Sequence, residues 1–143
     1  MIKPALYDDL VMDHIKNARN YREISNADYR ADGANPLCGD ELTVFVRRDD
    51  NDCIADIAYQ CTCCGISMAS ASLMTEHVKG RPARDVTALL RAFRDHPGGA
   101  NPTVDVTDPV VQTVLGIARQ YPVRQRCALL PWETLGQLLD EWT

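Results

Sequence analysis

Hydrophobic residues near the start of the chain recur at the spacing of an amphipathic helix. Between residues 6 and 18 the apolar positions fall three or four apart, and Pro4 stands where a first helical turn tolerates proline. His14 belongs to the apolar stripe, and a single histidine there is typical of a packed side chain rather than a metal ligand. Residues 20–35 mix Asn, Asp, Arg and Gly without a clear period, so we predict a loop.

Two stretches in the middle of the chain have the composition of β-strands. Residues 42–48 and 53–60 are rich in β-branched and aromatic side chains, and the polar residues 49–52 between them are typical of a hairpin connection. Cys53 would share one strand face with Ile57 and Tyr59, so we interpret it as a small buried side chain outside any site. The pattern thus predicts two antiparallel strands.

The second half of the chain has helical periodicity. Residues 66–79 carry small side chains and are followed by Gly80, which predicts a closely packed helix that ends there. Apolar residues at helical spacing predict another helix over 83–95. The run 96–102 is rich in Gly and Pro and predicts an exposed connection that includes His96.

Two more helices are expected before the chain ends. Thr107 or Asp108 can cap a helix that has Pro109 in its first turn and ends before Pro122. The last helix is predicted from about residue 128 to residue 142. The resulting fold class is α+β, a small antiparallel sheet packed with helices.

Length, composition and charge limit the possible functions. A chain of 143 residues that is 45% hydrophobic can bury one core, so we expect a single domain over residues 1–143. The net charge of -5, without a Lys/Arg-rich run, argues against nucleic acid and membrane as partners. No signal peptide or membrane span is recognisable, so we expect a cytoplasmic protein. In that reducing compartment, clustered cysteines usually indicate metal binding or catalysis.

The first candidate segment is residues 35–40 (NPLCGD), just before the first predicted strand. It places the thiol of Cys38 two positions from the carboxylate of Asp40. Gly33 and Gly39 give the backbone freedom to turn both side chains toward one point. A turn with an Asx-type hydrogen bond from Asp40 is the alternative without a metal.

Two further thiols lie at predicted helix N-termini. Cys64 precedes the helix over 66–79, and Cys127, flanked by Arg124 and Arg126, precedes the last helix. Unpaired amide groups in a first helical turn lower a thiol pKa and favour the thiolate that binds metal or attacks sulfur. Two helix N-termini and the Cys38 loop can therefore converge on one cation.

The order and spacing of these segments resemble the U-type iron-sulfur cluster assembly family. The matching motifs are residues 35–40, residues 64–72 (CGISMASAS) and residues 126–128 (RCA). Cys64 and Cys127 lie 63 positions apart, a length that resembles the SufU-type branch. The IscU-type branch has a histidine before its third cysteine, whereas this chain has Arg126, which stays protonated and cannot be a ligand.

The resemblance implies a fold like that of IscU and the NifU N-terminal domain, with zinc bound by Cys38, Asp40, Cys64 and Cys127. It also implies that a SufS-like cysteine desulfurase is the partner, and that sulfur passes on to downstream iron-sulfur assembly proteins. Cys38 is our candidate for the catalytic sulfur acceptor. Zinc accepts three thiolates and one carboxylate in a tetrahedron, and iron or an iron-sulfur cluster is the alternative cofactor for the same ligands.

Three functions remain open at this point. The first is zinc-dependent sulfur transfer, in which the chain is a sulfurtransferase-like partner of the desulfurase. The second is a scaffold on which an iron-sulfur cluster is assembled and from which it is transferred. The third is a structural zinc-stabilised interaction module.

Residues just before Cys64 depart from the family pattern. The family usually has Gly-x-Gly before its second cysteine, and this chain has Cys61 and Cys63 at the two glycine positions. If the backbone there needs positive φ, a cysteine would be strained. The two thiols could be alternative ligands, a protected store for transferred sulfur, partners in a reversible disulfide, or small buried side chains.

Overall fold

Three strands and five helices follow one another along the part of the chain that the structure describes. The structure is a computed structural model, and it describes residues 4–35, 39–95, 109–120 and 125–142. The elements are α1 (Pro4–Lys16), β1 (Tyr29–Asn35), β2 (Asp40–Arg48), β3 (Ile54–Thr62), α2 (Gly65–Val78), α3 (Ala83–Asp95), α4 (Pro109–Gln120) and α5 (Gln125–Trp142). This arrangement confirms the predicted α+β class.

The three strands form an antiparallel meander in the order β1-β2-β3. The first hairpin closes where Asn35 pairs with Asp40, and the second hairpin ends where Glu41 pairs with Thr62. Because side chains alternate between the faces of a strand, one face of the sheet carries the apolar residues. On β2 and β3 they form the cross-strand pairs Leu42↔Cys61, Val44↔Tyr59 and Val46↔Ile57.

Strand β1 was not predicted, because residues 20–35 looked like a loop. Its residues point alternately inward and outward, but the inward positions include the small residues Ala31 and Gly33. Helix α5 packs directly on them: a Cβ on Gly33 would overlap the hydroxyl of Thr134 and lie 3.3 Å from Leu130 Cδ1. The close approach of the helix excludes the large apolar side chains from which a strand is usually recognised.

The hairpin of β2 and β3 confirms the predicted pair of strands. Residues 49–53 connect them, and Asp52 has a φ of 58° in this turn. Cys53 stands just before β3 and is half-buried, with its thiol 3.7 Å from the carbonyl oxygen of Asn51. The prediction that Cys53 is a buried side chain on the strand face was therefore wrong: the register shifts between Arg47 and Arg48, and the fully buried Ile54, which pairs with Arg48, takes the inward position instead.

The helices lie close to their predicted positions. α2 ends at Val78 and Gly80 follows it with a φ of 85°, as the Gly signal indicated. α5 begins at Gln125, three residues earlier than predicted. The predicted connection 96–102 with His96, and the capping residues Thr107 and Asp108, lie outside the described residues. Among the helices that the structure describes, none is both long and apolar enough to cross a membrane.

The main core lies between the helices and the inner face of the sheet. Its largest fully buried side chains include Trp132, Tyr59, Ile57, Met74 and Leu135. A smaller cluster of Ile24, Phe45 and Ala58 lies apart from it; Phe45 and Ala58 are at outward positions of β2 and β3. The helices are thus held on one side of the sheet.

His14 lies inside this core, as its place in the apolar stripe of α1 predicted. It is 2% exposed, and its Nδ1 lies 2.7 Å from the hydroxyl of Ser72. The backbone N–H of Arg19 donates to the same hydroxyl at 2.9 Å, which leaves the hydroxyl proton free to be donated to a neutral imidazole. Burial, together with the positive charge of Arg19, lowers the pKa of His14 below its usual 6.5, partly opposed by the charges of Glu76 and Asp13.

We expect His14 to make the fold sensitive to mild acid. Because its folded-state pKa is depressed, the unfolded chain binds more protons, so stability is full above pH 6.5 and is lost as the pH falls below it. The loss is at most about 1.4 kcal/mol per pH unit. Urea unfolding between pH 7 and pH 5 should show a shallower pH dependence for His14→Gln. An equal slope in both proteins would contradict this role.

Candidate metal centre

Three of the four predicted ligands meet at one end of the sheet. Asp40 is the first residue of β2, Cys64 is the N-cap of α2, and Cys127 is the third residue of α5. One carboxylate oxygen and the two sulfurs all lie within 4.8 Å of one another. Asp40 is 3% and Cys127 1% exposed, whereas Cys64 is half-buried, so one side of the group faces outward.

The fourth predicted ligand, Cys38, lies outside the described residues. Its neighbours on the chain are described: the N–H of Gly39 donates to the carbonyl oxygen of Asn35 at 2.9 Å, and Gly39 has a φ of 73°. Gly39 therefore supplies the backbone freedom that the sequence indicated. Gly33 has a different role from the one predicted, because it lies within β1 and makes room for Thr134.

The carboxylate of Asp40 is held by the first turn of α2. Its Oδ1 accepts the backbone N–H of Cys64 at 2.9 Å, and its Oδ2 accepts the hydroxyl of Ser67 at 2.8 Å. Both donors lie at the positive end of the helix, where a negative charge is stabilised. These contacts orient Asp40 toward the two thiols and differ from the Asx-type turn that the sequence left open.

Ser67 is a residue of this centre that sequence reasoning missed. It is fully buried, and its Oγ lies 2.8 Å from Asp40 Oδ2, 3.0 Å from the carbonyl oxygen of Cys127 and 3.7 Å from the sulfur of Cys64. Its single hydroxyl proton can be donated to the carboxylate or to the carbonyl. Ser67 therefore contacts all three members of the group.

The carbonyl of Cys127 accepts this hydrogen bond from another helix, and Pro131 lies four residues later in α5. Proline has no N–H, so the usual helical hydrogen bond to the Cys127 carbonyl cannot form. The signal in the sequence was a serine three residues after Cys64 together with a proline four residues after Cys127. Only the packing of α2 against α5 connects the two.

A second serine fixes the two helices against each other. The hydroxyl of Ser70 donates to the carbonyl oxygen of Ala128, and the indole Nε1 of Trp132 donates to Ser70 Oγ at 2.9 Å. All three residues are buried. These contacts fix the N-terminal ends of α2 and α5 relative to each other. The relative positions of Cys64 and Cys127 are thereby fixed as well.

Asn35 contacts the sulfur of Cys127. It is 6% exposed, and its side-chain Nδ2 lies 3.9 Å from that sulfur. A hydrogen-bond donor next to a ligand sulfur favours its thiolate form and fixes its orientation. Asn35 was recognised as part of the 35–40 motif, but its contact with a residue 92 positions away is visible only in the fold.

The other candidate residues lie outside this group. His14 and Cys53 are not part of it, as predicted. Arg126 is exposed on the first turn of α5, and Arg124 lies outside the described residues. Cys61 and Cys63 form a disulfide with each other, and neither has a positive φ, so the expected backbone strain is absent there.

The donor set fits a zinc ion. Two thiols and a carboxylate supply three ligands of the kinds that tetrahedral zinc takes, and their mutual separation allows one ion to contact all three. Ferrous iron accepts the same donors. A fourth ligand would complete the tetrahedron.

We expect Ser67→Ala to destabilise the protein. The substitution leaves the carbonyl of Cys127 and one oxygen of Asp40 buried without this donor, which costs about 1–3 kcal/mol in the free energy of unfolding. Urea denaturation of the metal-free protein measures the loss. The half-buried Thr87, whose hydroxyl donates to the carbonyl of Ala83 within α3, provides a control, and Thr87→Ala should cost less. Equal losses would show that Ser67 has no special role.

Comparison with known proteins shows which sequences are similar to this chain. Residues 6–127 match the model of the NifU-like N-terminal domain family. The chain is 33% identical over 132 residues to the zinc-dependent sulfurtransferase SufU of Bacillus subtilis strain 168, covering 91% of this chain and 86% of the relative. It is 27% identical over 141 residues to the iron-sulfur cluster assembly scaffold protein IscU of Thermotoga maritima, covering 99% and 97%.

Solved structures have the same fold. A protein from Fervidobacterium islandicum AW-1, assigned as an iron-sulfur cluster assembly scaffold for the SUF system, superposes with a TM-score of 0.80 at 28% identity, over 96% of this chain and 99% of that one. A NifU-like N-terminal protein from Brucella abortus superposes with a TM-score of 0.78 over 94% and 92%; at 20% identity it supports the fold alone.

Proposed function

This chain belongs to the NifU-like N-terminal domain family, and from that premise we propose that it serves iron-sulfur cluster assembly as a zinc-dependent sulfur transfer protein. The observation that carries the proposal is the convergence of Asp40, Cys64 and Cys127 within 4.8 Å, with one side of the group facing outward. The relative from Bacillus subtilis, which is named for zinc-dependent sulfur transfer, supports the same function.

In this proposal, Asp40, Cys64, Cys127 and Cys38 are the zinc ligands. Cys38 is two residues from Asp40, so the covalent chain keeps their Cα atoms within about 7 Å of each other. Bound zinc would keep the thiols ionised at neutral pH. Asn35 contacts the sulfur of Cys127 and Ser67 donates to the carboxylate of Asp40, so polar neighbours orient both buried ligands.

Cys38 is the proposed sulfur acceptor. Its thiolate attacks the terminal sulfur of the persulfide on a cysteine desulfurase, a new S–S bond forms on Cys38, and the desulfurase cysteine leaves as a thiolate. The sulfane sulfur thereby moves from one protein to the other without a net oxidation. Downstream iron-sulfur assembly proteins then receive it. Arg126, exposed beside Cys127, is placed to contact an acidic surface of the partner.

A scaffold function is the second candidate, and a specific observation favours it. The IscU relative from Thermotoga maritima is matched over almost its whole length, and thiolate ligands also bind iron-sulfur clusters. Metal analysis separates the two candidates. Stoichiometric zinc in colourless protein supports sulfur transfer, whereas brown protein with acid-labile sulfide supports the scaffold. If the protein binds zinc but does not accept sulfur, the third function, a structural zinc-stabilised interaction module, is supported instead.

The sulfur acceptor is tested by mass spectrometry after incubation with a cysteine desulfurase and L-cysteine. We expect Cys38 to be the first thiol that gains a sulfur, and Cys38→Ser to abolish both this mass gain and the stimulation of the desulfurase. Cys53→Ser removes a thiol far from the centre and is the matched control. Normal stimulation by folded Cys38→Ser protein would end the transfer proposal.

We also propose a cytoplasmic location, because the mechanism needs reduced thiols.

A further inference from the structure

The pair of cysteines before Cys64 is not used by the proposed mechanism. Cys61 is the next-to-last residue of β3, Cys63 lies in the two-residue connection to α2, and the two sulfurs are joined in a disulfide. We propose that reduced Cys61 and Cys63 are an internal dithiol that releases sulfur carried by Cys38 as sulfide. This inference rests on the proposed function and adds a reductive step to it.

The register of the sheet places Cys63 beside the metal centre. Leu42 pairs with Cys61 and Glu41 pairs with Thr62, so the next position of this ladder would bring Asp40 opposite Cys63. The N–H of Cys64, which is part of the peptide group that follows Cys63, donates to Asp40 at 2.9 Å. Cys63 thus adjoins the carboxylate from one side, and Cys38 is two residues from it along the chain.

Cys61 is the more firmly held member of the pair. The hydroxyl of Tyr21 donates to the carbonyl oxygen of Cys61 at 2.9 Å and lies 3.4 Å from its N–H. Its side chain faces inward from β3 and packs against the main core. The Cα atoms of Cys61 and Cys63 are 5.4 Å apart, inside the range that a disulfide spans.

Both cysteines are half-buried, so small thiols reach the disulfide from solvent. In a reducing compartment such a bond is typically transient and belongs to a catalytic or redox-sensing cycle. Disulfides form and break by thiolate attack on sulfur, which is also the chemistry of persulfide transfer. A dithiol beside a persulfide-carrying cysteine can therefore accept its sulfane sulfur.

The proposed step conserves atoms and electrons. The Cys63 thiolate attacks the terminal sulfur of the Cys38 persulfide, giving a persulfide on Cys63 and a thiolate on Cys38. The Cys61 thiolate then attacks the inner sulfur of the Cys63 persulfide, so the Cys61–Cys63 disulfide forms and hydrosulfide leaves. The sulfane sulfur gains two electrons and the two thiolates lose two. An external dithiol reductant, of the thioredoxin chemical class, restores the pair for the next cycle.

A single-turnover experiment tests this step. Zinc-loaded protein is reduced, freed of reductant under anaerobic conditions, and given a cysteine desulfurase with one equivalent of L-cysteine. Free sulfide and the mass of the peptide containing residues 61–63 are then measured. For the unsubstituted chain we expect about one sulfide per chain and a peptide that has lost two hydrogens as its disulfide forms.

The two single-cysteine variants should each block a different step of the proposed reaction. In Cys63→Ser the sulfur stays on Cys38 and no sulfide is released. In Cys61→Ser the sulfur moves to Cys63 and remains there as a persulfide. Cys53→Ser should behave like the unsubstituted chain. Zinc content and circular dichroism establish that each variant is folded, and the double Cys61→Ser/Cys63→Ser variant measures sulfide that comes from the desulfurase alone.

The outcomes distinguish this step from the proposed function. If Cys38 gains sulfur but the unsubstituted chain keeps it and residues 61–63 stay reduced, the dithiol step is overturned and sulfur transfer survives. Sulfide release by Cys63→Ser at the unsubstituted rate overturns it as well. If no variant with an intact Cys38 gains sulfur, the proposed function falls, and the dithiol step falls with it.

Discussion

Cys127→Ser should weaken zinc binding by about 100- to 1000-fold. Structural zinc sites bind with about 10–16 kcal/mol, so an average ligand of four contributes about 2.5–4 kcal/mol. Cys127 is 1% exposed and lies at the N-terminal end of a packed helix, so a water molecule has little room to replace its thiolate. Competition with a chromophoric chelator at fixed pH measures the affinity.

The matched control for this result is Cys53→Ser, the same chemical change at a half-buried thiol outside the group. It should leave zinc affinity unchanged. Asn35→Ala should have a smaller effect than Cys127→Ser, roughly 10- to 100-fold, because Asn35 contacts the sulfur and does not bind the ion itself. An unchanged affinity of folded Cys127→Ser protein would remove Cys127 from the ligand set.

Gly33→Ala should lower the free energy of unfolding by about 1–3 kcal/mol, the usual cost of overpacking. The added methyl group would overlap the hydroxyl of Thr134, which is buried and donates to the carbonyl of Leu130 at 2.8 Å. Relief requires Thr134 to rotate its side chain and break this hydrogen bond, or β1 and α5 to separate. Because α5 also carries Cys127, the variant should bind zinc more weakly. Urea denaturation at constant metal content gives the stability change.

Helix α5 offers a control in which the added methyl group should increase the free energy of unfolding. Among the described residues, a Cβ on Gly136 would meet only Leu90 Cδ1, at 3.8 Å, so Gly136→Ala fits and should stabilise α5 by up to about 1 kcal/mol. Thr134→Ala removes the hydroxyl that the Gly33→Ala methyl group would meet. The double variant should therefore lose less stability than the sum of the two single losses. Strict additivity would contradict the proposed overlap.

The predictable part of the fold was set by local periodicity. Residues 42–48 and 53–60 could be predicted as strands because they carry the β-branched and aromatic side chains that cover a buried face. The spacing of apolar residues correctly predicted both ends of α3. β1 was missed for a physical reason. Its inward residues, Ala31 and Gly33, are small because a helix packs against them, and that helix comes about one hundred positions later in the sequence.

The candidate site divides in a similar way. Asp40, Cys64 and Cys127 were identifiable from residue type, motif order and resemblance to a family, and the structure brings them together. Ser67 was not identifiable as a contact of all three. Its role depends on the carbonyl of Cys127, which cannot accept a helical N–H from Pro131, and the effect of a proline in one helix on a serine in another requires their packing.

The sequence alone determined which groups have the chemistry for metal and sulfur, where most helices and strands lie, and which family the chain resembles. These follow from side-chain type and short-range spacing, which are properties of neighbouring residues. The tertiary structure decided that the Asp40 carboxylate is held by α2 and that Asn35 reaches Cys127. Such contacts depend on the distances and directions that packing fixes between segments, and no local pattern records them.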